Sequence, residues 1–231
     1  VLNEAGEVVG SKEVDDVNRS WFVGKDISAI WDHEFIGIWQ EDEAEEAAKY
    51  GQQPGDAKVR DANGDYKITQ EDKVFLGQET PKFRWSFRNE FTLFRNWDIS
   101  LNLYSQMGHK QSTTEYLNFF DNLGDYSNTY KCEYWTPENK SNSYARLKST
   151  RPSNINPKKV INKGFIRLEN ISVSYRVPQQ FARKLMAKEI SIYGTVRNVA
   201  VWAFDKEWDY WDPETKGLLP RTFTFGASIT F

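Results

Sequence analysis

Apolar and polar residues alternate along several long stretches of this chain. In 81–94, Phe83, Trp85, Phe87, Phe91 and Leu93 share one parity, against Lys82, Arg84, Ser86, Arg88, Glu90 and Thr92. In 96–108, Trp97, Ile99, Leu101, Leu103 and Met107 oppose Asp98, Ser100, Asn102, Tyr104 and Gln106. Successive side chains of a strand point to opposite faces, so each stretch predicts a ribbon with one apolar face and one polar face. Over 164–178, Ile171, Val173, Tyr175 and Val177 alternate with Ser172, Ser174 and Arg176. Ile166 and Leu168 are out of phase with them, which predicts a bulge near Glu169 and Asn170. The stretch 189–203 alternates less cleanly, and 27–40 reads as a further strand. In 221–231, Phe223, Phe225, Ala227, Ile229 and Phe231 oppose Thr222, Thr224, Gly226, Ser228 and Thr230.

The chain thus predicts about six long strands and two short helices, over 41–51 and 179–187. In the first helix Glu45 stands four residues before Lys49, and Gly51 supplies a C-terminal stop. The connections alternate in length: long over 40–81, short over 94–97, long over 110–164, short over 178–188, long over 204–221. An up-and-down membrane barrel has this asymmetry, with brief turns at one end and long loops at the other. Strands of about ten residues also match a tilted bilayer crossing. The polar face carries Arg84, Arg88, Glu90, Asp98 and Asn102, side chains fit for an aqueous or plugged interior, the charges Arg84, Arg88, Glu90 and Asp98 pairing with one another or with a plug. The fold expected is all-β: about six strands of a large antiparallel transmembrane β-barrel. The alternative on the same periodicity is a secreted β-sandwich, a carbohydrate-binding module with a structural calcium.

Composition narrows the function. Of 231 residues, 27% are charged and 15% aromatic, with nine Trp. The net charge of −3 gives no reason to expect a nucleic-acid partner. Cys132 is the single cysteine, so no disulfide forms within this chain. No run of about 18 apolar residues exists to form a spanning helix. The first residues carry neither an initiator Met nor a signal peptide. Single-chain barrels start at about eight strands, so the chain is expected to be a piece of something larger.

One stretch has the residue types of a metal loop. In "DANGDYKITQED", Asp61, Asn63 and Asp65 stand at alternate positions, followed by Lys67 with its carbonyl, Thr69, and Asp72 at position twelve. Calcium takes six to eight oxygens, and this spacing offers most of them. The glycine of an EF-hand belongs at position six and a Glu at twelve, whereas here Gly64 is at four and Asp72 at twelve. The other reading is a loop closed by Asx turns. Among the loop aromatics (Tyr116, Phe119, Phe120, Tyr134, Trp135, Trp208, Tyr210 and Trp211), the trio Trp208, Tyr210 and Trp211, beside Asp209 and Asp212, is the candidate stacking platform for substrate. The others fit an interfacial girdle or loop packing. The acidic run Glu41 to Glu46 is either a solvated helix face or a contact for a basic partner. His33 and His109 lack partners at metal-ligand spacing, and no nucleophile–base pair, phosphate loop or paired-carboxylate cleft is evident, so no enzyme is expected.

Several stretches together resemble one family. "PGDAKVRDANGDYKITQEDKVFLGQETPKFRWSF", "FIRLENISVSYRVP", "VRNVAVWAF" with "YWDPE", and "LPRTFTFGASITF" are similar, in order, to signatures of the SusC/RagA-like TonB-dependent transporters of Bacteroidetes. Two departures stand out: Tyr66 replaces the second glycine of the family's DxNGDG loop, and "VRNVAVW" stands where Gly-x-Asn-Leu is commoner. The resemblance spans about residue 20 to 231 and implies that 1–231 is the C-terminal segment of such a barrel, without plug and first strands. It further implies an outer-membrane location in a Gram-negative bacterium, contact with outer-membrane lipid, a SusD-like surface lipoprotein as partner, TonB engaged through the N-terminal part, and import of glycans or peptides.

Overall fold

A computed structural model describes residues 13–113, 133–208 and 211–231. Its strands are β1 (Ala29–His33), β2 (Phe35–Ile38), β3 (Ala57–Val59), β4 (Lys73–Gln78), β5 (Phe83–Leu93) and β6 (Trp97–Met107). They continue as β7 (Lys110–Thr113), β8 (Lys159–Asn162), β9 (Phe165–Arg176), β10 (Glu189–Ala203) and β11 (Thr222–Thr230). Two short helices, α1 (Ala44–Lys49) and α2 (Gln179–Ala182), lie in the connections. The chain divides into two compact units, one of 1–80 with 110–161 and the other of 81–109 with 162–231.

The second unit is a five-stranded antiparallel sheet ordered β11-β10-β9-β6-β5. It is an up-and-down meander, in which every chain-neighbouring strand of the sheet is also a spatial neighbour. The register sets whole rows across it. Glu90, Ser100, Ser172, Thr195 and Thr224 are paired in sequence, as are Arg88, Asn102, Asn170, Arg197 and Thr222. One residue along, Phe91, Ile99, Val173, Gly194 and Phe225 form an apolar row. Period-two alternation in each strand thus becomes two continuous, opposite faces. The bulge falls where the alternation slips: Asn102 pairs with Asn170 but Leu103 with Leu168, leaving Glu169 over. That extra residue turns Ile166 and Leu168 back onto the apolar face. On β10 the same level carries a second irregularity, with Asn198 at φ 54 and its amide donating to the Pro220 carbonyl at 2.9 Å.

The apolar face is open. Phe83, Phe87, Phe91, Trp97, Ile192, Phe223 and Phe225 are all exposed, Phe225 by 80%. A sandwich would have buried these residues against a second sheet. An exposed apolar surface of this extent needs another medium or partner.

The other unit is built from the long connections. The strand expected over 27–40 is instead two short ones, β1 on β4 and β2 on β3, so the long strands number five among the described residues. Register shifts at Ile30/Trp31 and Phe35/Gly37 break it. Gly37 takes φ 138, and a Cβ there would lie 2.6 Å from Asn142 Oδ1, which accepts the Ile38 N–H. A single regular strand cannot pass through that position. Ile38, Ala57, Trp135 and Ala145 form the core, with Phe35, Tyr134 and Tyr144 packed on it. The helix expected over 41–51 is a 3-10 turn, Glu41–Glu43, running into α1 and stopped by Gly51 at φ 68. Lys49 pairs with Glu46 at 2.6 Å, three residues back, rather than with Glu45.

Candidate functional site

The polar face of the sheet carries its charges in local pairs. Arg88 pairs with Glu90 two residues along at 2.6 Å, and Asp98 accepts from Arg176 and from the Thr92 hydroxyl. The Asn102 amide donates to Glu169, the bulged residue. Arg84 stands in the same face opposite Gln106. The expectation that the charges pair with one another holds for Arg88 with Glu90, whereas Asp98 takes Arg176 as its partner instead. A surface of hydroxyls, amides and neutralised charges suits an aqueous lining better than a packed core.

Near the long connection after β10, a turn is pinned to this polar face. Arg167, 2% exposed, donates to Asp212 Oδ2 at 2.6 Å and lies 3.4 Å from the Glu214 carboxylate. Glu214 also accepts from the Tyr104 hydroxyl at 2.6 Å and from the Gln106 amide at 3.1 Å. Tyr104 and Arg167 are cross-strand partners, so both belong to the polar face. Nothing local to Arg167 in the sequence announces its partner 45 residues on.

The aromatic trio separates. Trp208 is buried and donates its indole N–H to the Asn162 carbonyl at 2.8 Å, which makes it an anchor for the connection. Trp211 is 43% exposed and is the member available for stacking. Tyr210 lies outside the described residues, as do Asp209, Tyr116, Phe119, Phe120 and Cys132. Trp135 is core, its N–H bonded to Gln40 Oε1 at 3.0 Å, and Tyr134 packs on the same cluster.

The loop of Asp61, Asn63, Asp65, Lys67, Thr69 and Asp72 is closed by its own amides. Asp61 accepts from the Gly64 and Tyr66 N–H groups, Asn63 from Asp65, and Asp65 from Lys67. Asp72, fully buried, accepts from the Ala62 and Thr69 N–H groups, closing a capping box with Thr69 around the 3-10 turn Gln70–Asp72 of which it is the last residue. Among the described residues no three His, Cys, Asp or Glu side chains gather as a cation would require. As arranged, these carboxylate and amide oxygens accept from the loop's own N–H groups, which is the pattern of Asx turns. Tyr66 holds φ 62, the region a glycine would take, at a cost of about 1 kcal/mol. Its ring stacks 5.6 Å from Tyr50 and lies under the Lys49 ammonium, contacts a glycine could not make. Burial and the Asp61 carboxylate push the Tyr50 hydroxyl up to about 12.

Burial raises the Asp61 carboxyl, but the N–H groups of Gly64 and Tyr66 outweigh it and leave the group below its ordinary 3.8. A depressed folded value means the stabilisation is present above pH 3.8 and is lost as pH falls through the lowered value. Two results are expected for this loop. Asp72→Ala costs about 1.5–3 kcal/mol, the worth of charged hydrogen bonds left unmade. Chelation leaves the melting temperature of the native protein unchanged; a fall on chelation, restored by calcium, would reverse the assignment.

The acidic run is engaged within its own unit. Glu41 pairs with Lys140, Glu43 with Lys58, and Glu46 with Lys49. His33 is buried, with Nε2 at 2.6 Å from the Thr69 carbonyl. The residue the sequence left unmarked is Asp56 of the PGD motif. It is fully buried and accepts from Arg146 Nε, from the Thr150 N–H and hydroxyl, and from the Gln53 N–H. Gly55 beside it takes φ 89, and a Cβ there would lie 2.5 Å from the Trp135 ring. The motif is a clasp between two long connections.

No protein-family model matches the chain. Two curated relatives come from Formosa agariphila. TonB-dependent receptor P26 is 25% identical over 93% of this chain and 24% of its own length. TonB-dependent receptor P3 is 23% identical over 90% of this chain and 22% of its own. The chain therefore spans about a quarter of the curated relatives it matches. Among solved structures, the RagAB peptide transporter superposes with a TM-score of 0.59 at 15% identity, covering 88% of this chain and 22% of that one. The RagAB peptide importer in its closed-closed state gives 0.58 at 16% identity, over 88% and 23%. Over most of its length the chain is thus similar to a segment of TonB-dependent receptors, and its antiparallel meander shares the fold of a segment of the RagAB transporter.

Proposed function

We propose that this chain forms part of the barrel wall of an outer-membrane importer, with its apolar face against lipid and its polar face toward the passage. The observation that carries this reading is the register of five strands, which aligns Phe91, Ile99, Val173 and Phe225 on one side and Glu90, Ser100, Ser172, Thr195 and Thr224 on the other. A wall between hydrocarbon and water needs both rows at once, together with complete backbone pairing. The importer takes up peptides or glycans, works with a SusD-like surface lipoprotein, and is energised through TonB. Support for peptides comes from the peptide importers that share the fold. The likeness to TonB-dependent receptors supports a role in transport rather than catalysis.

The test is uptake by cells lacking the full-length receptor. Uptake of an oligopeptide or oligosaccharide pool should fall to background and return on complementation, and the pool affected names the substrate class. A receptor that stays monodisperse in buffer without detergent would end the membrane reading.

A further inference from the structure

The turn at 212–217 is held too firmly to be a free surface loop. Asp212 Oδ1 accepts the Glu214 and Thr215 N–H groups, both at 3.0 Å. The Lys216 N–H returns to the Asp212 carbonyl at 2.8 Å, and the Asp212 N–H reaches the Gly217 carbonyl at 2.9 Å. Pro213 is among the most deeply buried residues. The turn is therefore a closed unit, and its attachment to the sheet is the second oxygen of Asp212 on Arg167. The Arg167 guanidinium also lies 5.2 Å from the Phe165 ring and 5.9 Å from the Tyr104 ring. A charge buried this way is stable only while its counter-ion stays in place, so the attachment is stiff.

We propose that 212–217 is a fixed constriction, clamped against the inner wall by Arg167, which narrows the passage and sets the size of what crosses it. This rests on the polar face being the lumenal one. Arg167 and Asp212 are the positioning residues. Glu214, whose side chain is 37% exposed, is held by Tyr104 and Gln106 so that it shows its carboxylate toward the passage. Arg167 Nε has no hydrogen-bond partner, so the clamp passes through one terminal nitrogen. A lysine ammonium could replace that nitrogen in part.

The test uses the full-length receptor in intact cells, in a background otherwise free of cysteine (Cys132→Ser included), and compares small with bulky membrane-impermeant maleimides. Thr215→Cys reports the turn, Glu138→Cys an exposed surface position, and Phe225→Cys the apolar face. The small reagent should label Thr215→Cys and Glu138→Cys alike, while the bulky one labels Thr215→Cys at least about tenfold more slowly. Adding Arg167→Met should remove most of that deficit and bring the bulky-reagent rate at Thr215→Cys up toward that at Glu138→Cys, because the buried carboxylate loses its counter-ion and the turn its attachment. Arg167→Lys should leave it much closer to the starting value. Heat-modifiability on gels identifies any variant that has not folded, and Asp212→Asn then takes the place of Arg167→Met. Equal bulky labelling at Thr215→Cys and Glu138→Cys, or no response to breaking the clamp, would overturn the constriction. Ready labelling of Phe225→Cys in membranes would instead overturn the wall reading on which it rests.

Discussion

Replacing Asp56 by alanine is expected to destabilise the unit that contains it by about 3–5 kcal/mol, the cost of stranding a buried charge. The magnitude follows from what would be left behind. Arg146 would lose the carboxylate on its Nε, and the Thr150 N–H and hydroxyl and the Gln53 N–H would lose their acceptor. Because Asp56 ties residues 90 or more apart, the loss should spread along both long connections. Hydrogen exchange on the full-length receptor in detergent is the measurement. Protection should fall in β3 and around 135–146, while the centre of β6 keeps its own. Asp56→Asn should cost less, since it retains an acceptor. A change confined to residues adjoining position 56 would mean that the clasp is local and that the unit is held by its apolar core.

The second large effect is a contrast between neighbours on one strand. Phe225→Arg should cost about 2–4 kcal/mol if that side chain meets the hydrocarbon midplane, and less toward an interface. Thr224→Arg, one residue earlier and on the opposite face, should change stability by under about 1 kcal/mol, because a lumenal arginine stays hydrated. Folding the full-length receptor into lipid vesicles across a denaturant series gives both numbers on one scale. Equal costs would show that the two faces do not see different media. The comparison is informative because both residues belong to β11, so backbone and strand position are nearly held constant.

Much of the sheet was legible because strand periodicity is local. Phe91 and Thr92 differ in face for reasons contained in two consecutive residues, and five such strands in meander order give the register almost without choice. The slip between Leu168 and Ile171 likewise announced its bulge. Helix α1 was legible for the same reason, through Gly51, though the partner of Lys49 proved to be Glu46.

The long connections were not legible. Trp208 read as a loop aromatic available for a ligand, yet its indole N–H has found a protein acceptor and its ring is buried. The 61–72 loop offered calcium or Asx turns equally, since spacing lists oxygens and not the amides that reach them first.

The sequence by itself determined the alternation, the strand lengths, the meander and the resemblance that names the family, all written within windows of a few to a few dozen residues. Tertiary structure alone decided which polar residues are structural. Asp56 with Arg146 and Arg167 with Asp212 are ordinary charges in sequence, and they become clasps only because loops 90 and 45 residues apart close over them. Water is then excluded, and the same charges that would contribute little on a surface hold two elements together.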